Sequence, residues 1–307
     1  IGAILETRSD SGVAFGGLTV WPAWLALVLL AAGTFFLIDA GLFDWFAPGI
    51  YDSAATPVAA FLSAAAKTAG FALLLRLFSF LFVFGHEKWI HVWGGAAIVS
   101  LLWGNIAALR QRDVKRLLAY GSVAQTGFIL LGLVAGNEAA FSGMMYYLGV
   151  HVFMTIGAFG ILILVDRDSE RSMQLTDLDG LYWRNRVAAL LLLIFMMSLA
   201  GVPPTAGFVA KYYLVKALLA HPHPELAAFA VVNALLSVYY YGRVAAHAWK
   251  KPAAGALLPG ETLPLEVPAL TISSGQTIAL TAAVFVSLAA GLYPEPFLRF
   301  ARYAFGQ

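Results

Sequence analysis

The chain has 307 residues, of which 61% are hydrophobic and 12% charged, whereas a soluble domain carries about 25% charge. A mean hydropathy of +0.80 with 22 Phe and 8 Trp excludes both disorder and a soluble globular enzyme, and a net charge of +2 offers no basic face for nucleic acid. With no Cys, the chain holds no disulfide, thiolate metal site or iron–sulfur ligand of its own, so any redox chemistry belongs to partners.

The first residue is Ile1 rather than Met, and no basic and apolar regions of a signal peptide precede the polar opening stretch ILETRSDSG, so the chain reads as one whose N-terminal part is missing. A hydrocarbon core of about 30 Å needs about 20 apolar residues of helix. Runs of that kind predict spans over residues 20–40, 56–84, 91–109, 117–135 and 141–165. Residues 186–220 form a longer unit, one span broken near 203–204, because Gly201-Val202-Pro203-Pro204 removes two backbone donors and cannot continue a straight helix. Spans over 226–249 and 276–292 follow, and the tail at 297–305, FLRFARYAF, suits the membrane interface. The expected fold is an all-α polytopic membrane protein, a single bundle of about eight transmembrane segments in contact with the lipid bilayer.

Eight crossings put alternate loops on one side. Arg110, Arg112, Lys115, Arg116, Arg167, Arg171, Arg184, Arg186, Lys250 and Lys251 gather on one face, against Arg8, Lys88, Arg299 and Arg302 on the other. The first face is therefore expected to be cytoplasmic.

A lysine at mid-membrane costs on the order of 3 kcal/mol on insertion scales, which makes it a functional candidate. Lys67 lies in FLSAAAKTAGFALLLRLF, far from either surface, and Lys211 lies in VPPTAGFVAKYYLVK just beyond the helix break. Snorkelling on a tilted helix is the alternative for each, and Lys216, nearer the exit, fits it better. His151, in MMYYLGVHVFMTIGAF, sits mid-span and carries an imidazole suited to passing protons, or else one satisfied by a neighbouring backbone group or Tyr hydroxyl. Asn105 and Gln125 read as interhelical hydrogen-bonding residues. Arg243 is placed to reach the cytoplasmic headgroups. Desolvation lets a buried lysine exchange between charged and neutral forms at modest cost, with a carboxylate as the natural switching partner. The spans hold no Glu, and Asp39, at the end of the first span, is either that partner or an interfacial end residue. The HPHP run at 221–224 reads as a turn rather than a metal site.

The strings YDSAATPVAAFLSAAAKTAGFALLLR, WGNIAALRQRDVKRLLAYGSVAQTGFILLGLVAG, SLAGVPPTAGFVAKYYLV and SVYYYGRV carry a resemblance. The chain resembles subunit N of proton-pumping NADH:quinone oxidoreductase, respiratory complex I, in the antiporter-like family. The resemblance implies an antiporter-like fold with broken helices, of which this chain supplies the C-terminal eight. It implies proton translocation along buried lysines and water, with NADH, FMN, iron–sulfur clusters and quinone bound by partner subunits. Those partners are the other membrane subunits of complex I, including other antiporter-like ones, in a bacterial inner membrane. The family's relay lysines fall on Lys67 and Lys211, and His151 takes the place of a histidine found in L-type relatives.

The family's further relay lysine is absent. Aligning the pattern FKLxxVPFHxWxPD to FLIDAGLFDWFAPG places Leu37 at the lysine, Leu42 at the proline of a helix break and Asp44 at the histidine. The resemblance leaves three readings in play: a pumping subunit of complex I, a subunit of a multisubunit cation/proton antiporter or membrane-bound hydrogenase, and a non-pumping structural subunit.

Overall fold

The computed structural model describes residues 29–30, 32–41, 49, 54–81, 86–166, 172–220, 224–251 and 273–304. Parts of the expected first span (20–28 and 31), Leu42, Asp44, His221 and residue 305 lie outside them. Among the described residues the chain is helical apart from its turns, and the only β pairing is an isolated bridge between Asp113 and Gln174.

Pro57 at the start of α1 (Thr56–Phe61) is preorganised for a first turn. A π-helical turn (Leu62–Ala66) joins it without interruption to α2 (Lys67–Leu81). Next come α3 (His86–Arg110), which begins before the expected residue 91, and α4 (Val114–Ala135), whose first turn is capped by Asp113 accepting from the Arg116 N–H at 2.8 Å. Asn137 caps α5 (Glu138–Val165) in the same way, accepting from the Ala140 N–H at 2.8 Å. A 3-10 turn (Leu175–Leu178) and the short α6 (Leu181–Arg184) lead into α7 (Arg186–Ala200), which ends at Gly201 in the left-handed conformation that glycine tolerates (φ 82°). The chain resumes as α8 (Ala206–Leu219), so the break spans 201–205 rather than the two prolines alone. The series closes with α9 (Glu225–Trp249), α10 (Ser274–Leu292) and α11 (Glu295–Ala304). Among the described residues six helical rods, the continuous one from Thr56 through α2 counted once, are long and apolar enough to cross a membrane.

The most enclosed helix is α4, packed against α3 along its length and against α5 and α8. Gly104 permits the close approach of α3, because a Cβ there would sit 2.5 Å from the Ala124 backbone nitrogen. The outer helices α9 and α10 leave Val232, Leu235, Ile278 and Phe285 uncovered, as lipid-facing helices do. The amphipathic α11 buries Leu298 and Ala301 toward α5 and exposes Phe300 and Tyr303.

The two ends of the bundle differ. At one end Lys115 pairs with Asp166 at 3.2 Å, His247 Nδ1 meets Asp179 Oδ1 at 2.6 Å, and the Gly180 N–H donates to the Lys250 carbonyl at 2.9 Å. Arg243 does not reach outward as expected. Its guanidinium turns inward and donates to the carbonyls of Leu109 (3.0 Å) and Gln111, closing the C-terminus of α3. At the opposite end Asn137 donates to the Ala217 carbonyl at 3.2 Å and Tyr146 to the Ala290 carbonyl at 2.8 Å. Between these ends lies the polar interior.

Candidate functional site

Lys67 follows the π-helical turn directly, a feature that often marks functional positions because it re-aims the next side chain. The residue is buried. Its Nζ donates to Ser122 Oγ at 2.5 Å and to the Ser122 carbonyl at 3.0 Å, and lies 3.2 Å from Asp39 Oδ2. Ser63, one turn earlier, donates to Ser122 Oγ at 3.4 Å.

Asp39 reaches Lys67 because the helix preceding it stops early. Helical residues end at 37, the Asp39 N–H bonds the Phe36 carbonyl and the Ala40 N–H the Phe35 carbonyl. This is a Schellman stop, with Asp39 at φ 54° in the position glycine usually fills. Thr126 Oγ1 then satisfies the Ile38 carbonyl at 2.8 Å. Asp39 is thus no interfacial end residue. It stands beside the buried lysine, eleven residues into the rod that starts at Thr56, about 16 Å along the helix axis at 1.5 Å per residue. Leu37 is 40% exposed and lies across Gly70, where a Cβ would be 3.0 Å from Leu37 Cγ.

Lys211 is held at the helix break. From α8 its Nζ reaches back to the terminal carbonyls of α7, donating to Ala200 at 2.8 Å and Leu199 at 3.2 Å, and to Ser237 Oγ at 3.1 Å. A cation belongs there, since unpaired carbonyls and the negative end of the α7 dipole converge at that point. The face of Phe128 covers the ammonium, 4.8 Å from Nζ to the ring centroid. Gln125 also donates to the Leu199 carbonyl, at 2.8 Å, and its own Oε1 accepts from the Tyr147 hydroxyl.

A cavity of about 10 Å³ lies between the two lysines, lined by Ser63, Ser122, His151, Thr155, Leu199 and Tyr241. A volume of that size suits roughly one water molecule. Ser122 faces it from the Lys67 side and Leu199 from the Lys211 side, while buried His151 lies across it with Nε2 3.5 Å from Thr155 Oγ1. Buried Lys67, His151 and Lys211, with the partly exposed Asp39 beside Lys67, therefore form one polar line about the cavity. Lys216 does not join it and is exposed on α8.

Sequence reasoning missed the hydroxyls that complete the line. Ser63 and Lys67 are i,i+4 neighbours and Ser122 and Gln125 are i,i+3 neighbours, so the spacing of polar residues along each helix was available as a signal. Lys115, counted among loop cations, is instead fully buried. Asn105 behaves as read, its Nδ2 donating to Asn233 Oδ1 at 2.9 Å to tie α3 to α9. Among the described residues no three His, Cys, Asp or Glu side chains gather as a metal site.

A family model described as NADH:quinone oxidoreductase/Mrp antiporter, TM, matches residues 8–237. The chain belongs to this family. Among the relatives of this NADH:quinone oxidoreductase/Mrp antiporter member, NADH-quinone oxidoreductase subunit N 2 of Solibacter usitatus is 38% identical over 96% of the chain. Subunit N of Desulforamulus reducens is 38% identical over 91% of the chain, and NAD(P)H-quinone oxidoreductase subunit 2 of a Nostoc species is 41% identical over 72%. The chain spans 58%, 56% and 42% of these three relatives' lengths. A chain of respiratory complex I from Thermus thermophilus superposes with a TM-score of 0.71 at 30% identity, over 90% of this chain and 58% of that one. A chain of the Mrp complex from Dietzia shares the fold at a TM-score of 0.80 and 21% identity, over 93% of this chain and 59% of its own. The resemblance to subunit N read from the sequence is borne out, as is the all-α antiporter-like fold.

Proposed function

We propose that this chain translocates protons as an antiporter-like membrane subunit of NADH:quinone oxidoreductase. The observation that carries the reading is the polar line from Asp39 and Lys67 through Ser122 and the His151 cavity to Leu199 and Lys211. An ammonium kept from water depends on its local partners, so in this reading each lysine passes a proton on when those partners change. For Lys67 the partner that changes is Asp39, which lies on a helix stop and not in a rigid helix. For Lys211 the carbonyls of the break supply fixed dipoles that stabilise the charged form without a counter-ion. Water in the cavity and the imidazole of His151 carry the proton between them. Lys216 stays outside the relay, and with Leu37 uncharged Asp39 is the charged partner that residues 32–41 supply to Lys67.

Electron transfer belongs to partner subunits in this reading, which bind NADH, FMN, iron–sulfur clusters and quinone. The complex lies in a bacterial inner membrane with the Lys115–Asp166 end of the bundle facing the cytoplasm, as the arginine and lysine distribution favours. A second reading, a subunit of a multisubunit cation/proton antiporter, is favoured by the family description, which covers both kinds of complex.

One purification separates the two. The native subunit, tagged and extracted in mild detergent, is expected to bring with it flavin and iron–sulfur absorbance and NADH:quinone activity. Recovery of the subunit in an assembly without them overturns the complex I reading and favours the antiporter.

A further inference from the structure

The same polar interior has a second ionic cluster at the proposed cytoplasmic end. Lys115 Nζ lies 3.2 Å from Asp166 Oδ2, and Thr56 Oγ1 donates to the same oxygen. Lys115 is fully buried and the Asp166 side chain is 9% exposed. Such a pair is a poor source of stability, since desolvation of two charges offsets their attraction. The placement makes it poorer. Lys115 occupies the first turn of α4, at the positive end of that helix, and Asp166 is the residue that ends α5, at the negative end. Each charge is disfavoured by its own helix and satisfied chiefly by the other.

The three residues sit at the head of one seam. Counting seven residues, two helical turns, inward from Thr56 gives Ser63, from Lys115 gives Ser122, and from Asp166 gives Phe159, all three of which line the His151 cavity. The separation is about 10 Å along each helix. The apolar layer between includes buried Ala59, Leu118 and Leu162, of which Leu118 itself lines the cavity.

We propose that Lys115, Asp166 and Thr56 form the cytoplasmic proton-uptake site of this chain, with Asp166 as acceptor and Lys115 as the lock. This rests on the translocation reading above. A hydronium ion gives its proton to the Asp166 carboxylate and leaves as water. The ammonium of Lys115 is then without a counter-charge in a buried position and draws water to itself, which opens the apolar layer toward Ser63 and Ser122. Return of the proton to the seam restores the carboxylate and closes the pair.

Asp166→Asn keeps the shape of the neutral acid and holds the seam in its hydrated state. The test places a thiol in the cavity by Ser63→Cys, in a chain that has no cysteine of its own, within the assembled complex in inside-out membrane vesicles. 2-Aminoethyl methanethiosulfonate is added from the cytoplasmic face and the mass shift of this chain is followed in time. Adding Asp166→Asn is expected to raise the labelling rate on the order of tenfold or more, the effect of breaking a buried pair; an unchanged rate overturns the proposal. If that variant does not assemble, Thr56→Val takes its place, removing only the hydroxyl on the same oxygen. A severalfold increase supports the site and an unchanged rate overturns it. The labelling rate does not depend on NADH-driven pumping, so loss of the translocation reading and loss of this site give different results.

Discussion

Replacing Lys211 by Met separates its place in the fold from its place in the relay. The substitution removes three hydrogen bonds from an ammonium, at 2.8, 3.1 and 3.2 Å, each worth about 1.5–3 kcal/mol. It also removes the several kcal/mol spent in desolvating the charge. Neither carbonyl need be orphaned. Leu199 O keeps Gln125 Nε2 at 2.8 Å, and the single hydroxyl proton of Ser237, within reach of both Ala234 O (2.6 Å) and Ala200 O (3.1 Å), can turn to Ala200 O once the ammonium is gone. The Met side chain follows the path of the lysine stem, which runs against Gly201, where a Cβ would lie 2.8 Å from Lys211 Cδ. The net change in stability is therefore expected to stay within about 2 kcal/mol, as for other buried charges replaced by apolar groups of similar size. The complex should assemble at the parent level, and the ratio of protons moved to NADH oxidised should fall. Proteoliposomes with a pH-sensitive dye on one channel and NADH absorbance on the other measure that ratio. An unchanged ratio in a fully assembled complex refutes the role assigned to Lys211, and failure to assemble refutes the accounting of its bonds.

Three further outcomes follow from the geometry. Asp39→Asn leaves the buried Lys67 without its carboxylate, so proton translocation in proteoliposomes should fall at least severalfold, while Asp39→Glu retains part of it. Gly207→Ala drives a Cβ into the Ser198 carbonyl oxygen on the facing side of the helix break, and since the obstacle is backbone the expected cost is about 3 kcal/mol, the upper end for overpacking, read as lost assembly or a lower Tm. Leu37→Lys adds an ammonium beside Gly70, one turn from the Lys67–Asp39 pair; with Asp39 already serving Lys67, it should not raise the number of protons moved per NADH, and a rise would show that Leu37 had silenced a relay.

The two lysines were legible because a charge inside an apolar run stands out against its surroundings, whatever the fold. The helix break at 201–205 was legible for a similar reason, since adjacent glycine and proline residues leave few other conformations. Asp39 was legible only as one of two alternatives, partner or interfacial end residue, because nothing in the run through Ala40 shows that the helix ends at residue 37 by a Schellman stop with Asp in the glycine position. The π-helical turn before Lys67 has no composition that announces it. Lys115 was hidden by its neighbours: among Arg110, Arg112 and Arg116 it reads as one more loop cation, and only the meeting of α1, α4 and α5 shows that it is buried against Asp166. The His151 cavity likewise belongs to several helices at once, so a single-chain pattern shows the histidine but not the space beside it.

The central claim is that one polar line joins Lys67 to Lys211 through His151, and His151→Leu tests the join without touching either lysine. The imidazole contacts Thr155 at 3.5 Å and, among the described residues, no hydrogen bond runs from it to a lysine, so both ammonium groups keep their partners in the variant. Measured in proteoliposomes of the assembled complex, the protons moved per NADH oxidised are expected to fall, with assembly intact. A ratio equal to the parent's would contradict the account, because it would mean that protons cross this chain without passing the cavity.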